Sequence, residues 1–188
     1  MLPSTLEETI ARRLMEYGKR ISHLERLEGG GGGVSPFFHP HDMGISFGGP
    51  GLGNYIPVGS GATTGFQCWD LSSAGIESVQ TQWQVPLGVT VDDVTVYAAM
   101  QTAAGGNIRN RMAFNSMAIG ELATNEVLIL QTEAVPAVAL TIFSFNVVPT
   151  ITISPGDVLS IHPGRQGTDV ADTAAGDMAL LGVRINTS

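Results

Sequence analysis

Apolar and polar positions alternate with a period of two along most of the chain after residue 64. The clearest example is SVQTQWQV, residues 78–85, where Val79, Thr81, Trp83 and Val85 occupy one face and Gln80, Gln82 and Gln84 the other. Similar runs separated by turn sequences predict strands at 65–70, 77–86, 92–101, 110–117, 126–132, 138–148, 157–163 and 178–186. This pattern predicts a mainly β fold, an antiparallel β-sandwich or jelly roll of about eight strands over residues 65–188.

The first 28 residues have a helical pattern instead. Apolar side chains recur at alternating spacings of four and three, as in a coiled-coil seam, at Ile10, Leu14, Tyr17, Ile21 and Leu24. Ser4 and Glu7 form a capping box, and Gly29 ends the pattern. Residues 1–28 are therefore interpreted as an N-terminal coiled-coil helix that joins copies of the chain. The alternative is a surface helix packed on its own domain.

Residues 29–64 are rich in glycine and proline. The run Gly29–Gly33 predicts a hinge, and apolar residues between Phe37 and Ile56 argue against a disordered spacer. We interpret 29–64 as a hinge followed by an extended arm that lies over a neighbouring surface.

Two predicted strands, 126–132 and 138–148, are apolar on both faces. A monomeric sandwich exposes one face of each sheet to water, so this pattern indicates contact with another subunit. A cover formed by the chain's own arm, residues 34–58, explains it equally well. Together with the helical seam, the first explanation predicts a homotrimer.

The charge distribution excludes some partners. The formal net charge is −8, and residues 1–28 contain five basic and five acidic side chains, so the excess negative charge lies in residues 29–188. That part has four arginines and no lysine. Such a surface cannot neutralise a row of phosphates, which disfavours nucleic acid and anionic membranes as partners.

The sequence lacks several common catalytic motifs. The chain has no GxSxG sequence, no P-loop and no GxGxxG before a helix, and its lysine, Lys19, lies in the helical segment. The single cysteine, Cys68, excludes an internal disulfide and a cysteine-rich zinc site. These observations predict that the protein is not an enzyme and has no cofactor.

One candidate metal site is the sequence HPHD. His39 and His41 are two residues apart in what we expect to be an extended segment, so both imidazoles point to one side. In a trimer, the paired imidazoles of three chains would form an octahedral nitrogen set around a transition metal on the three-fold axis. The segment is similar in these two residues to the HxH arrangement of trimeric phage spike tips. An ordinary loop is the alternative.

A second polar cluster precedes the last predicted strand. It contains Arg165, Asp169, Asp172 and Asp177, and an arginine among carboxylates forms bidentate pairs that hold a loop together. Binding of a cation or of sugar hydroxyls is the alternative. Trp69 and Trp83 could form a platform for sugar stacking, although Trp83 lies on the apolar face of its strand and is expected in the core.

The whole arrangement resembles the accessory virion proteins of tailed bacteriophages. The resemblance lies in the short N-terminal coiled coil, the glycine hinge and an antiparallel domain ending in SPGDVLSIHPGRQGTDVADTAAGDMALLGVRI, residues 154–185. It implies a homotrimeric head fibre, decoration or tail appendage, attached to capsid or tail by its N-terminal region and assembled in the host cytoplasm. A carbohydrate-binding receptor module of a phage tail, recognising a host-surface glycan, is the alternative function.

Overall fold

The computed structural model describes residues 35–48, 51–57, 65–102, 105–118, 120 and 126–188. The strands in these ranges are β1 Phe37–Phe38, β2 Gly44–Phe47, β3 Gly51–Pro57, β4 Gly65–Leu71, β5 Ile76–Gln84, β6 Val91–Met100, β7 Asn107–Met117, β8 Glu126–Ala134, β9 Ile142–Val147, β10 Val158–Gln166 and β11 Met178–Thr187. A 3-10 turn, Pro40–Asp42, connects β1 to β2. No helix among the described residues is long and apolar enough to span a membrane.

The strands form two antiparallel sheets. One has the order β3-β4-β11-β6-β9, with β1 also paired to β11, and the other has the order β2-β5-β10-β7-β8. We call them the six-stranded and the five-stranded sheet. The predicted antiparallel β-sandwich is thus confirmed, and each of the eight predicted strands corresponds to one of β4–β11.

The core lies between the two sheets, where inward side chains alternate with outward ones. Leu159 and Ile161 on β10 and Val94 and Val96 on β6 are buried and belong to one apolar cluster with Phe114 of β7. The period of two produces this arrangement because successive residues of a strand point to opposite faces. Burying these large side chains supplies most of the driving force for folding.

The strands β1, β2 and β3 belong to the sandwich. The sequence indicates an arm over a neighbouring surface, whereas β1 pairs with β11, β2 with β5 and β3 with β4. Two of these strands, β1 and β2, are two and four residues long, so they have no long alternating pattern. Their backbone hydrogen bonds are made with strands that are distant along the chain, which sequence periodicity does not reveal.

The arm strands β2 and β3 and the doubly apolar strands lie at opposite edges of the two sheets. In the five-stranded sheet, β8 is one edge strand and β2 is the other. In the six-stranded sheet, β9 is one edge strand and β3 is the other. Within the described ranges, the arm strands therefore do not pair with β8 or β9. Three apolar side chains on these two strands stay exposed, with relative exposures of 45% for Leu128, 36% for Leu130 and 52% for Ile142.

The predicted seam (Ile10, Leu14, Tyr17, Ile21 and Leu24) and the glycine hinge lie outside the described residues. The coiled coil and the trimer therefore stay predictions.

Candidate functional site

The outer face of the five-stranded sheet carries a row of polar side chains across four strands. Gln82 on β5 is paired with Ser160 on β10, which is paired with Asn115 on β7 and, beyond it, Glu126 on β8. Cross-strand partners lie on the same face, so these four side chains are neighbours. In the adjacent row, Gly44 is paired with Gln80, and Ala113 is paired with His162 on one side and with Leu128 on the other.

His162 connects the two rows. Its Nδ1 atom lies 2.5 Å from the Ser46 hydroxyl of β2, and its Nε2 atom lies 3.0 Å from the Ser160 hydroxyl. Burial lowers the pKa of His162 below its ordinary value, the nearby Arg111 lowers it further, and the carboxylate of Glu126 raises it. The imidazole is therefore neutral at pH 7 and can act both as donor and as acceptor.

An aromatic ring lies at one end of this polar surface. In a third row, Phe47 is paired with Ser78, Ser78 with Gly164 and Gly164 with Arg111. The two central residues are small, and the guanidinium of Arg111 lies 5.7 Å from the centre of the Phe47 ring. The Phe47 side chain keeps a relative exposure of 54%.

Gly164 is required for the close approach of β10 and β5. A Cβ atom at this position would lie 2.4 Å from the Glu77 carbonyl oxygen and 2.6 Å from Ser78 Cβ. Both are shorter than side chains tolerate, so a larger residue would push the strands apart.

We call the surface formed by Gln80, Gln82, Asn115, Ser160 and His162, with Phe47 and Arg111 at its border, the amide face. Its side chains present uncharged donors and acceptors at fixed strand spacings. The Oδ1 atom of Asn115 is buried and has no hydrogen-bond partner among the described residues. An unpaired buried acceptor is unfavourable, so the Asn115 side chain is held here at a cost in stability.

His39 and His41 lie elsewhere, on the outer side of the six-stranded sheet near β1. Their rings are stacked, with centroids 5.5 Å apart and planes at 7°. The segment is not fully extended as expected, because the 3-10 turn begins at Pro40, and the Asp42 carboxylate caps it by accepting the His39 backbone N–H at 3.0 Å. Among the described residues, no group of three or more histidine, cysteine or acidic side chains is placed to hold a metal ion. The proposed site at a three-fold axis needs other chains and stays a prediction.

Arg165 points into the sandwich and is fully buried. Its Nε and Nη2 atoms donate to the two oxygens of Asp172 at 2.9 and 2.7 Å, and its other bonds go to the carbonyl oxygens of Ala174 and Gly176 at 2.8 and 2.6 Å. This is the bidentate geometry that holds a loop. Each of the three guanidinium nitrogens donates to a protein atom, so the pair is not shaped for a ligand.

The other two carboxylates of this cluster have separate partners. Asp169 lies 3.6 Å from Arg109 Nε and accepts the Ala171 N–H at 2.8 Å, whereas Asp177 accepts the Ser73 N–H at 3.0 Å. The cluster therefore spreads over three contacts instead of converging on one point.

Neither tryptophan forms an exposed platform. Trp69 is buried and its indole N–H donates to the Pro40 carbonyl at 2.8 Å, which ties the 3-10 turn to the core. Trp83 is half-buried and packs against the apolar core, as its position in the strand pattern indicates.

Sequence reasoning identified the glutamine ladder but missed its partners. Ser46, Asn115 and His162 lie on strands that are far apart along the chain, and only strand order makes them neighbours. The one available signal was the uncharged polar face of residues 80–84.

No family model matches the sequence, and no curated protein matches it. Similar solved structures include the native structure of a family 35 carbohydrate-binding module from Clostridium thermocellum, with 13% sequence identity, a TM-score of 0.49, and coverage of 80% of this chain and 97% of that chain. A low-affinity xylan-binding module, CBM86, from Roseburia intestinalis has 17% identity, a TM-score of 0.38, and coverage of 83% and 97%. TmCBM61 in complex with β-1,4-galactotriose has 14% identity, a TM-score of 0.35, and coverage of 83% and 88%. These values describe similarity of fold and do not identify a family, and these structures lend no support to the resemblance to bacteriophage virion proteins.

Proposed function

We propose that this protein is a non-enzymatic carbohydrate-binding module and that its amide face takes a neutral glycan. The observation that carries the proposal is the row Gln82, Ser160, Asn115, which crosses three adjacent strands on one face of the sheet. Sugar hydroxyls need closely spaced uncharged donors and acceptors, and amide and hydroxyl side chains provide both. The three solved structures named above are carbohydrate-binding modules, and their similarity to this chain is one of fold.

The border of the face fits the same ligand. The exposed ring of Phe47 provides an apolar surface on which the C–H face of a sugar can lie, and Arg111 holds the ring from the other side. Hydrogen-bonding groups for the ligand edge then lie on β5, β7 and β10.

A binding role is favoured over catalysis because of the carboxylates. In the two polar rows, Glu126 is the one acidic side chain, whereas glycoside hydrolysis uses a pair of carboxyl groups at a defined separation. We therefore expect binding without cleavage.

The test is isothermal titration of the full chain with neutral oligosaccharides of xylose, glucose, mannose and galactose, together with a glycan array. In Gln82→Ala and Asn115→Ala, affinity for the oligosaccharide that binds should fall by about three- to tenfold each, the usual effect of one lost hydrogen bond. Thr150→Ala is the control, because Thr150 is exposed and lies outside the amide face. No binding to any neutral oligosaccharide, or equal affinities in all variants, would show that the face is not a glycan site.

A second candidate function follows from the open edge of the sandwich. Leu128, Leu130 and Ile142 stay exposed on β8 and β9, and the arm does not pair with these strands. Such apolar side chains are typical of a contact between subunits. This observation favours a homotrimeric component of a phage particle, anchored by its N-terminal region and displaying the sandwich.

The subunit contact is tested by light scattering of the full chain at micromolar concentration. We expect a trimer that is weakened by Leu128→Ser with Leu130→Ser, and weakened separately by Leu14→Asp with Ile21→Asp, which places charges in the predicted helical seam. A monomeric wild-type protein would refute self-association. Electron microscopy of particles from infected cells tests the virion location.

A further inference from the structure

Four rings form a continuous row on the outer face of the six-stranded sheet. The ring of Tyr97 on β6 lies 5.5 Å from Phe37 on β1, Phe37 lies 4.7 Å from His39, and His39 is stacked on His41 at 5.5 Å. Both histidines are exposed, and Phe37 and Tyr97 are half-buried. We call these four side chains, with Arg184, the aromatic row.

The backbone is arranged so that Phe37 lies outside the core. Its neighbour Phe38 packs against the core, so the alternation of β1 sends the Phe37 ring to the opposite face. That ring lies against Gly182 of β11, where a Cβ atom would come within 2.6 Å of Phe37 Cζ. The glycine lets the ring cross β11 and reach Tyr97.

Arg184 lies above two of these rings. Its guanidinium carbon is 5.9 Å from the centre of Phe37 and 5.8 Å from the centre of Tyr97, and the side chain is exposed. Within the described residues Arg184 forms no salt bridge. Asp93, the partner of Asn186 on the adjacent strand, accepts the Asn186 amide at 2.5 Å.

These features define the chemistry of a ligand. Ring faces accept an apolar surface, and a guanidinium stacked on rings keeps the N–H groups at its edge free for a bidentate carboxylate. Two polar residues lie on the same face, because exposed Ser144 pairs with Tyr97 and exposed Asn146 pairs with Thr95. Their hydroxyl and amide groups suit ligand hydroxyls.

From this arrangement we infer that the aromatic row is a second binding site, and that it takes a carboxylate-bearing sugar. The C–H face of the sugar lies on Phe37 or Tyr97, its carboxylate binds Arg184, and its hydroxyls are directed toward β9. The inference extends the proposed carbohydrate-binding function to the other sheet, where it depends on different residues.

The experiment is an NMR titration of the ¹⁵N-labelled full chain with glucuronic acid, galacturonic acid, glucose and sodium sulfate, one at a time. The acidic sugars should shift the backbone amide signals of Phe37, Tyr97 and Arg184. In Arg184→Gln, the affinity for the acidic sugars should fall at least about tenfold. Arg184→Lys should also bind the acidic sugars weakly, because lysine keeps the charge without the bidentate geometry. Heteronuclear spectra of each variant show whether the fold is kept.

A double variant of the amide face, Gln82→Ala with Asn115→Ala, separates the two proposals. This variant should no longer bind neutral oligosaccharides and should still bind the acidic sugars. The two proposed sites are therefore tested independently of each other. Equal shifts with glucose, unchanged affinity in Arg184→Gln, or no shift with either acidic sugar would overturn the inference. Equal shifts with sulfate would reduce the site to an anion site and overturn its assignment to a sugar.

Discussion

The strongest prediction about stability concerns the buried pair of Arg165 and Asp172. Their side chains have relative exposures of 0% and 1%, and an Asp172 oxygen also accepts the backbone N–H of Arg109 at 2.9 Å. Replacing Asp172 by alanine leaves the guanidinium charged, buried and without its partner. Removing one member of a buried pair costs about 3–5 kcal/mol.

That cost is a large part of the stability of a domain, which is typically about 5–15 kcal/mol. With a urea dependence of about 2 kcal/mol per molar, the midpoint of unfolding in Asp172→Ala should fall by roughly 1.5–2.5 M. The measurement is equilibrium urea unfolding followed by tryptophan fluorescence, since both Trp69 and Trp83 contact the core.

The charge argument is tested by replacing both partners. In Arg165→Met with Asp172→Leu, no buried charge is left, and the remaining loss comes from the backbone carbonyls of Ala174 and Gly176 and the N–H of Arg109. This double variant should therefore be more stable than Asp172→Ala. Arg109→Gln is the matched control, because its ion pair with Asp169 is longer and partly exposed, and its effect should stay below about 1 kcal/mol. A midpoint shift under about 0.5 M in Asp172→Ala, or a double variant less stable than the single one, would refute the reasoning.

Three further predictions concern single residues. Gly164→Ala should destabilise the protein by about 1–3 kcal/mol, because the added Cβ would meet the Glu77 carbonyl. Gly44→Ala is the control and should stay near wild type, because no atom lies within 4 Å of its added Cβ. Equal urea midpoints of the two variants would contradict this prediction. Burial lowers the pKa of His162, so the unfolded chain binds the proton more tightly, and the free energy of unfolding should decrease as pH falls through and below 6.5. His162→Gln should lose that part of the pH dependence, and an unchanged slope between about pH 7.5 and about pH 5.5 would count against it. Burial, with a smaller contribution from the carboxylate of Asp70, raises the pKa of Cys68 to about 11, so iodoacetamide should label this thiol only after unfolding; rapid labelling of the native protein, followed by mass spectrometry, would disprove it.

The candidate site shows which part of the chemistry is local. The glutamine ladder and the His39–His41 pair were visible because their members are two residues apart, and a strand or a short turn places such residues near each other. The sequence did not show that the ring of Phe47 and the imidazole of His162 border the same surface. Their strands, β2 and β10, are separated by more than a hundred residues along the chain and both pair with β5.

The aromatic row illustrates the same limit. Phe37 and Tyr97 approach each other only because β1 pairs with β11 and Gly182 leaves space for a ring. Neither the pairing nor the space is encoded in the residues next to Phe37.

By itself, the sequence determined the strands β4–β11, the inward and outward faces of β5 and the scarcity of positive charge after residue 28, because periodicity and composition depend on neighbouring residues alone. Only the tertiary structure decided that β1, β2 and β3 join the two sheets, that β8 and β9 stay open, and that Arg165 is buried with Asp172. The reason is physical: strand pairing satisfies backbone hydrogen bonds between segments distant along the chain, and the partner that satisfies them is chosen by the packing of the whole domain.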